Sequence, residues 1–151
     1  MKVKTVRLTS SFPSTLDDIW EKLQRLDTLQ YIASPYATFL PLCNTANKWT
    51  EGEKSRFHLK LFGFIPIGVH TINVMQFDKE ALMVYTNETN KFVPMWNHRI
   101  ILNPKTDSLC CYTDEVELYA GWKTPVVFLW SSLFYKHRQR KWLKLLRTDK
   151  H

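Results

Sequence analysis

The sequence predicts an α+β protein in which a first strand and one or two short helices precede a run of antiparallel strands and a long C-terminal helix. The chain has 151 residues, 44% of them hydrophobic, which is enough for a single domain over residues 1–151 with a sizeable core. Apolar residues recur at helical spacing near the two ends of the chain. Between the ends, short alternating segments are divided by frequent turn signals, as in an antiparallel meander.

The N-terminal elements follow from turn and cap signals. Residues 2–9 are predicted to form the first strand, and residues 10–14 form a turn before a helix whose N-cap is Ser14 or Thr15. A further turn or two of helix is expected over residues 27–32, ending at Ser34-Pro35. The buried stripe of the first helix consists of Leu16, Ile19, Trp20, Leu23 and Leu26.

The segment from Phe39 to Tyr119 is predicted to form the strands. In residues 96–102 and 109–119 the even-numbered positions carry most of the apolar side chains, so we expect these positions to face the core. The turn signals that separate the strands fall at residues 44–48, 51–53, 64–68, 77–80, 87–90 and 103–107.

The last predicted element is a helix from about Lys123 to Leu146, with Pro125 near its first turn. Its apolar residues fall into two groups on the order of 100° apart around the helix. Either the helix bends or its end packs on a different neighbour. The first group is Val126, Leu129, Trp130, Leu133 and Phe134, and the second is Trp142, Leu145 and Leu146.

Missing motifs exclude several classes of protein. The chain has four glycines, and they form neither a dinucleotide-binding nor a nucleoside triphosphate-binding loop. A nucleophile elbow is also absent. No C-x-x-C, H-E-x-x-H or H-x-H spacing suggests a zinc site. The sequence therefore predicts neither a metal nor a cofactor.

The cysteines and the N-terminus bear on location. Three cysteines, two of them adjacent, fit free thiols in a reducing compartment. Residues 1–7 lack the uninterrupted apolar stretch of a signal peptide. No window approaches the roughly 20 apolar residues that a membrane span needs. A cytoplasmic location is the expectation.

The net charge of +7 is concentrated at the C-terminus. Residues 136–150 contain seven basic residues and one acidic residue, which leaves fourteen basic and thirteen acidic residues elsewhere. One hypothesis is that this tract associates with an anionic membrane surface or a polyanion, with Trp142 and Leu146 as apolar anchors. No nucleic-acid-binding motif accompanies it, so nucleic acid is not expected as a partner.

The order of elements resembles the START/Bet v1-like superfamily, also called SRPBCC or polyketide cyclase/dehydrase-like. The more specific similarity lies in residues 14–23, 96–100, 112–117 and 134–142, which look like a bacterial-type member without a settled activity. The resemblance implies a helix-grip fold, in which a curved antiparallel sheet wraps around the C-terminal helix and leaves a cavity for a small hydrophobic or amphipathic molecule. Some members are cyclases or dehydratases, and others carry lipids, quinones or hormones.

A polar group is predicted on the cavity side of the sheet. A hairpin around residues 103–108 that keeps even positions on one face pairs residues whose numbers sum to about 210 or 212. His98 then lies opposite Tyr112 or Asp114. This imidazole, phenol and carboxylate either form a polar network that shapes the cavity and binds the polar end of a ligand, or supply acid/base catalysis.

Further ligand-binding candidates are Trp96, Trp130 and Phe134, which are either core residues or part of the cavity wall. His137 and Arg138 are also candidates, and either could turn inward and pair with Asp114 or stay exposed. The leading hypothesis is binding or transport of a small hydrophobic molecule. The alternative is a cyclase, dehydratase or aromatase that uses His98 and Asp114 as an acid/base pair. His70 cannot be assigned to a face, and Glu88, beside a predicted turn, is expected in solvent.

Overall fold

The computed structural model describes residues 2–43 and 46–148. Its first strand is followed by two short helices, six further strands and one long helix, and a 3₁₀ turn at Gly121–Lys123 leads into the long helix. The elements are β1 (Lys4–Phe12), α1 (Leu16–Leu23), α2 (Leu26–Ala33), β2 (Ala37–Pro41), β3 (Lys54–Leu61), β4 (Ile65–Asp78), β5 (Met83–Thr89), β6 (Met95–Thr106), β7 (Leu109–Tyr119) and α3 (Thr124–Thr148).

The strands form one seven-stranded antiparallel sheet in the order β1-β7-β6-β5-β4-β3-β2. Strands β2 to β7 are a meander, and β1 joins the sheet at β7. Helix α3 lies against the inner face and contacts β1, β7 and α2. The predicted α+β class and helix-grip fold are confirmed. Within the described residues, no helix is both long and apolar enough to cross a membrane.

The two short helices begin and end close to the predicted positions. The Thr15 hydroxyl accepts a hydrogen bond from the backbone N–H of Asp18 and caps α1. Ile19 and Trp20 are buried, in agreement with the predicted stripe. Residues 24 and 25 separate α1 from α2, and α2 ends at Ala33, directly before the predicted stop.

Helix α3 has the predicted position but a different buried face. Val126, Leu129 and Leu133, expected in its first apolar group, are 70%, 63% and 48% exposed. The hydropathy pattern did not indicate this face because several of its members are polar side chains that lie against the sheet. The buried residues beyond the first turn are Ser131, Phe134, Tyr135, Arg138, Gln139, Trp142 and Leu146.

The helix contributes to two hydrophobic clusters. Phe134 and Tyr135 belong to a cluster that includes residues of β1 to β4, β6 and β7, whereas Trp142 and Leu146 pack with Phe12 and other residues of a second cluster. The second of the two alternatives for α3 is therefore correct, since its end packs on a different neighbour. Trp142 and Leu146 are completely buried, so the hypothesis that they anchor the protein to a membrane is wrong.

The register between β6 and β7 also differs from the prediction. Paired residues have numbers that sum to 214 from Met95↔Tyr119 onward, so His98 lies opposite Val116. Strand β6 continues to Thr106 with an irregularity near its end, and the turn is shorter than expected. The expectation that even positions face the core is confirmed for both strands.

Candidate functional site

A cavity of about 310 Å³ lies between α3 and part of the sheet. Strands β2 to β6, α2 and α3 supply most of its wall. Strands β1 and β7 instead pack directly against α3, so the cavity is displaced toward the other edge of the sheet. The wall is mostly aliphatic and aromatic, and it also includes exposed side chains such as Phe92 and Val126. The cavity therefore reaches the surface beside these two residues.

His98 and Asp114 form a buried pair at this wall. The His98 Nε2 donates to the Asp114 Oδ1 at 2.7 Å, and the residues are 5% and 0% exposed. Because Asp114 lies opposite Ile100, the contact is diagonal across the two strands. The second carboxylate oxygen accepts from Gln139 of α3 at 3.0 Å. Helix and sheet together thus fix the orientation of the imidazole.

The other ring nitrogen of His98 has a different environment. With the Nε2 proton donated to Asp114, Nδ1 carries the lone pair of the neutral ring. Within the described residues Nδ1 has no hydrogen-bond partner, and His98 belongs to the cavity wall. The ring lies 5.0 Å from that of Tyr135. This nitrogen is suited to accept a proton or a hydrogen bond from a ligand.

A second imidazole–carboxylate pair, not anticipated from the sequence, lies on β4 and β5. The His70 Nε2 donates to the Glu88 Oε1 at 2.8 Å, and Thr86 donates to the other Glu88 oxygen at 2.8 Å. The Asn90 side-chain oxygen accepts from the backbone N–H groups of residues 92 and 93. Its amide nitrogen must therefore point to the His70 Nδ1, 3.0 Å away. This places the proton of the neutral His70 ring on Nε2.

The expectation that Glu88 is solvated is wrong. Strand β5 extends to Thr89, one residue beyond Glu88, and Glu88 shares the inward parity of Val84 and Thr86. This alternation along β5 was the sequence signal from which the burial of Glu88 could have been predicted. Burial raises the pKa of the Glu88 carboxyl, but the hydrogen bond from His70, the electrostatic interactions with His70 and His98, and the hydrogen bond from Thr86 together outweigh burial, and the net pKa is lowered.

These groups form one polar belt across the inner face of the sheet. Thr86 lies opposite His98 in the β5–β6 register, which places the two imidazole–carboxylate pairs side by side. We define the polar belt as His70, Thr86, Glu88, His98, Asp114 and Gln139. The part of the chain that the structure describes contains no group of three or more His, Cys, Asp or Glu side chains that could hold a metal ion.

Tyr112 does not join the polar belt. It lies opposite Leu102 rather than His98, and its ring packs against Phe12 at 4.8 Å and Trp142 at 5.5 Å. Burial raises the pKa of its hydroxyl far above the usual value. Tyr112 is absent from the cavity wall. The prediction that its phenol lies beside the imidazole and the carboxylate is therefore wrong.

His137 also lies outside the cavity wall. Its Nε2 donates to the backbone oxygen of Ser34 at 2.6 Å, and its ring stacks on Tyr36 at 4.5 Å. This histidine therefore fastens α3 to the end of α2, which is a structural role.

The three predicted aromatic candidates do line the cavity. Trp130 stacks on Phe134 at 4.7 Å, and the Trp96 indole donates to the Tyr135 hydroxyl at 3.1 Å. Burial raises the pKa of Tyr135 well above its usual value. Sequence reasoning missed Tyr135, although it lies one helical turn before Arg138 and Gln139 on the same face.

Arg138 turns inward but does not pair with Asp114. It belongs to the cavity wall and is 6% exposed. Its guanidinium lies 5.0 Å from the Tyr135 ring centroid and 5.7 Å from that of Phe134. Burial lowers the pKa of Arg138, but the nearby Tyr135, Asp114, Tyr112 and Glu88 outweigh burial, and the net pKa is raised. The side chain is thus a buried cation.

A comparison with known protein families assigns the sequence to one family. Residues 10–146 match the model of a family described as a domain of unknown function, DUF8410. The chain belongs to this family. No curated protein matches the sequence.

Solved structures show which fold this DUF8410 protein has. A START superfamily protein from Mycobacterium smegmatis superposes with a TM-score of 0.73 and 11% identity, over 95% of this chain and 97% of that one. Norcoclaurine synthase from Thalictrum flavum, in complex with dopamine and hydroxybenzaldehyde, gives a TM-score of 0.73 and 13% identity, over 99% and 90%. The Zhui aromatase/cyclase from Streptomyces sp. R1128 gives 0.65 and 13%, over 98% and 93%. The resemblance to START/Bet v1-like proteins is confirmed for the fold.

Proposed function

We propose that this protein binds or transports a small hydrophobic or amphipathic molecule in the cavity under α3. The observation that carries the proposal is the cavity of about 310 Å³, which is at the lower end of the range for small-molecule sites. Its wall combines an apolar surface with a few oriented polar groups, the arrangement that buries a ligand and fixes its direction.

Several features support binding rather than a packing defect. Buried Trp96 and partly buried Trp130 border a space that the core clusters leave unfilled. The polar belt passes beside this space with its groups oriented by the sheet and by α3. Solved proteins of the same fold include one whose complex holds dopamine and hydroxybenzaldehyde, which supports the use of this fold for small organic ligands.

The proposal predicts that the protein as purified carries, or accepts, an apolar ligand that raises its melting temperature. Native mass spectrometry followed by solvent extraction detects a molecule that is already bound. Thermal denaturation with added fatty acids and aromatic acids, amides or alcohols shows whether any of these compounds raises the melting temperature. Ligand at about 100 times its Kd adds roughly 2.7 kcal/mol to the free energy of unfolding. A protein that neither carries nor accepts any such molecule contradicts the proposal.

Two neighbouring substitutions on β4 provide the control. Val74→Phe places a larger side chain in the cavity wall, where Val74 is 2% exposed, and should abolish ligand binding. Met75→Phe adds a similar group on the opposite face of the same strand, where Met75 is 53% exposed, and should leave binding unchanged. Equal ligand binding by both variants would place the ligand outside this cavity.

A catalytic alternative is favoured by the His98–Asp114 pair. A buried carboxylate that orients an imidazole, with the other ring nitrogen unpartnered at a cavity wall, is an arrangement suited to general acid/base catalysis. If the protein is an enzyme of cyclase or dehydratase type, the recovered ligand differs chemically from the one supplied. His98→Gln should then stop the conversion while binding persists. Recovery of every tested ligand unchanged argues for binding alone.

A further inference from the structure

Arg138 is the most unusual group in the cavity wall. It is 94% buried, yet within the described residues its guanidinium has no carboxylate within 4.0 Å, and its Nε has no hydrogen-bond partner. A guanidinium has five N–H donors and remains protonated in proteins. Burial of such a charge is costly unless acceptors are supplied. The cation–π contacts with Tyr135 and Phe134 offset part of this cost but satisfy none of the donors.

The two carboxylates in the same region are already occupied. Both Glu88 oxygens accept hydrogen bonds, one from His70 and one from Thr86. Both Asp114 oxygens also accept, one from His98 and one from Gln139. The charges of these carboxylates raise the pKa of Arg138, but within the described residues no ion pair joins either of them to its guanidinium. A carboxylate partner for Arg138 must therefore come from outside this set.

We propose that the ligand of this cavity carries a carboxylate, which the Arg138 guanidinium binds while the apolar part lies against Trp96, Trp130 and Phe134. This inference rests on the proposed function and specifies its ligand class. A carboxylate fits because its two oxygens match the two-pronged geometry of guanidinium donors. The aromatic rings under the guanidinium hold it in a position from which it can meet the ligand.

The test compares acids with neutral analogues of the same skeleton. Decanoate and decanamide form one pair, and 1-naphthaleneacetate and 1-naphthaleneacetamide form a second, with affinities measured by isothermal titration calorimetry. We expect the acid of at least one pair to bind about tenfold or more tightly than its amide, since charge-assisted paired hydrogen bonds are roughly twice as strong as neutral ones. The comparison uses the unaltered protein and therefore does not depend on whether a variant folds.

Variants of α3 identify the residue that is responsible for the preference for the acid over the amide. Arg138→Gln should remove the preference for the acid while the amide binds as before, and Arg138→Lys should retain part of it. Arg140→Gln removes an exposed cation two residues along the same helix and should leave the preference intact. Circular dichroism and the melting temperature confirm that each variant is folded.

The possible outcomes separate this inference from the proposed function. If the amides bind as tightly as the acids, or if Arg138→Gln keeps the preference, the carboxylate inference is overturned while cavity binding stands. If no acid or amide binds, and Val74→Phe behaves like the unaltered protein throughout, the proposed function fails together with the inference.

Discussion

Asp114 shows how much of the candidate site depends on single hydrogen bonds. It is completely buried, and its carboxylate accepts from His98 on the neighbouring strand and from Gln139 on α3. Gln139 in turn donates to the backbone oxygen of Leu8 at 2.8 Å. One carboxylate therefore connects three elements, and it fixes the imidazole that faces the cavity.

Replacement of Asp114 should be far more damaging than replacement of its neighbour in sequence. Asp114→Ala leaves the His98 and Gln139 donors buried without an acceptor, and we expect a loss of about 3 kcal/mol in the free energy of unfolding. Glu115→Ala removes contacts to Arg7 and Arg99 on the other face of β7 and should cost no more than about 1 kcal/mol. Urea denaturation measures both, and similar losses would contradict the assigned role of Asp114.

Helix α3 shows at the scale of an element why hydropathy is an incomplete guide. Its buried face includes Ser131, Arg138 and Gln139, while Leu129 and Leu133 face solvent. Gln139 belongs to the polar belt, Arg138 belongs to the cavity wall, and the Ser131 hydroxyl donates to the backbone oxygen of Val127 within the helix. An amphipathic assignment counts apolar residues, so it placed the exposed Leu129 and Leu133 on the same buried side as Phe134.

The corrected face of α3 can be tested with two identical substitutions. Leu146→Ala creates a cavity in the second cluster, where Leu146 is completely buried, and should cost about 2–5 kcal/mol. Leu133→Ala removes a side chain that is 48% exposed and should change the free energy of unfolding by about 0.5 kcal/mol or less. Thermal or urea denaturation distinguishes them, and equal costs would be inconsistent with the observed rotation of the helix.

Stability of the whole molecule should decline in acid partly because of the polar belt. The pKa of Glu88 in the folded protein is below the value of 4.5 for an unperturbed carboxyl. A lowered pKa means that this group stabilises the fold above about pH 4.5 and that its contribution disappears as the pH falls through the folded value. The net charge of +7 adds repulsion under the same conditions.

Glu88→Gln should therefore be less stable than the unaltered protein near neutral pH, and the difference should shrink as the pH falls from about 5 to about 3. Urea midpoints measured across this range test the prediction. Glu80→Gln, at an exposed position in the turn after β4, is the control and should show a small, constant difference. A constant difference for Glu88→Gln would mean that its ionisation is not coupled to folding.

Local patterns were sufficient for much of the fold. The cap at Thr15, the end of α2, the parity of β6 and β7 and the position of α3 follow from side-chain chemistry within a few residues. Such features depend on backbone propensity and on the alternation of side chains, both of which are properties of the local sequence.

The site was predicted only in part. The contact of His98 with Asp114 was anticipated, but in a register that also included Tyr112. An irregularity near the end of β6 and a turn at residues 107 and 108 set the actual register. A register shift of an even number of residues moves a side chain from one neighbour to another without any change in parity, so the sequence pattern could not detect it.

The sequence by itself determined the order of the elements, the inward parity of the strands and the presence of His98 and Asp114 on the buried face. Tertiary structure decided that Glu88 and His70 pair beside them, that Tyr112 is core, and that Arg138 enters the cavity with no carboxylate partner among the described residues. The reason is physical: a buried polar group is tolerated according to the donors and acceptors that distant segments bring to it, and these distances exist only in the folded chain.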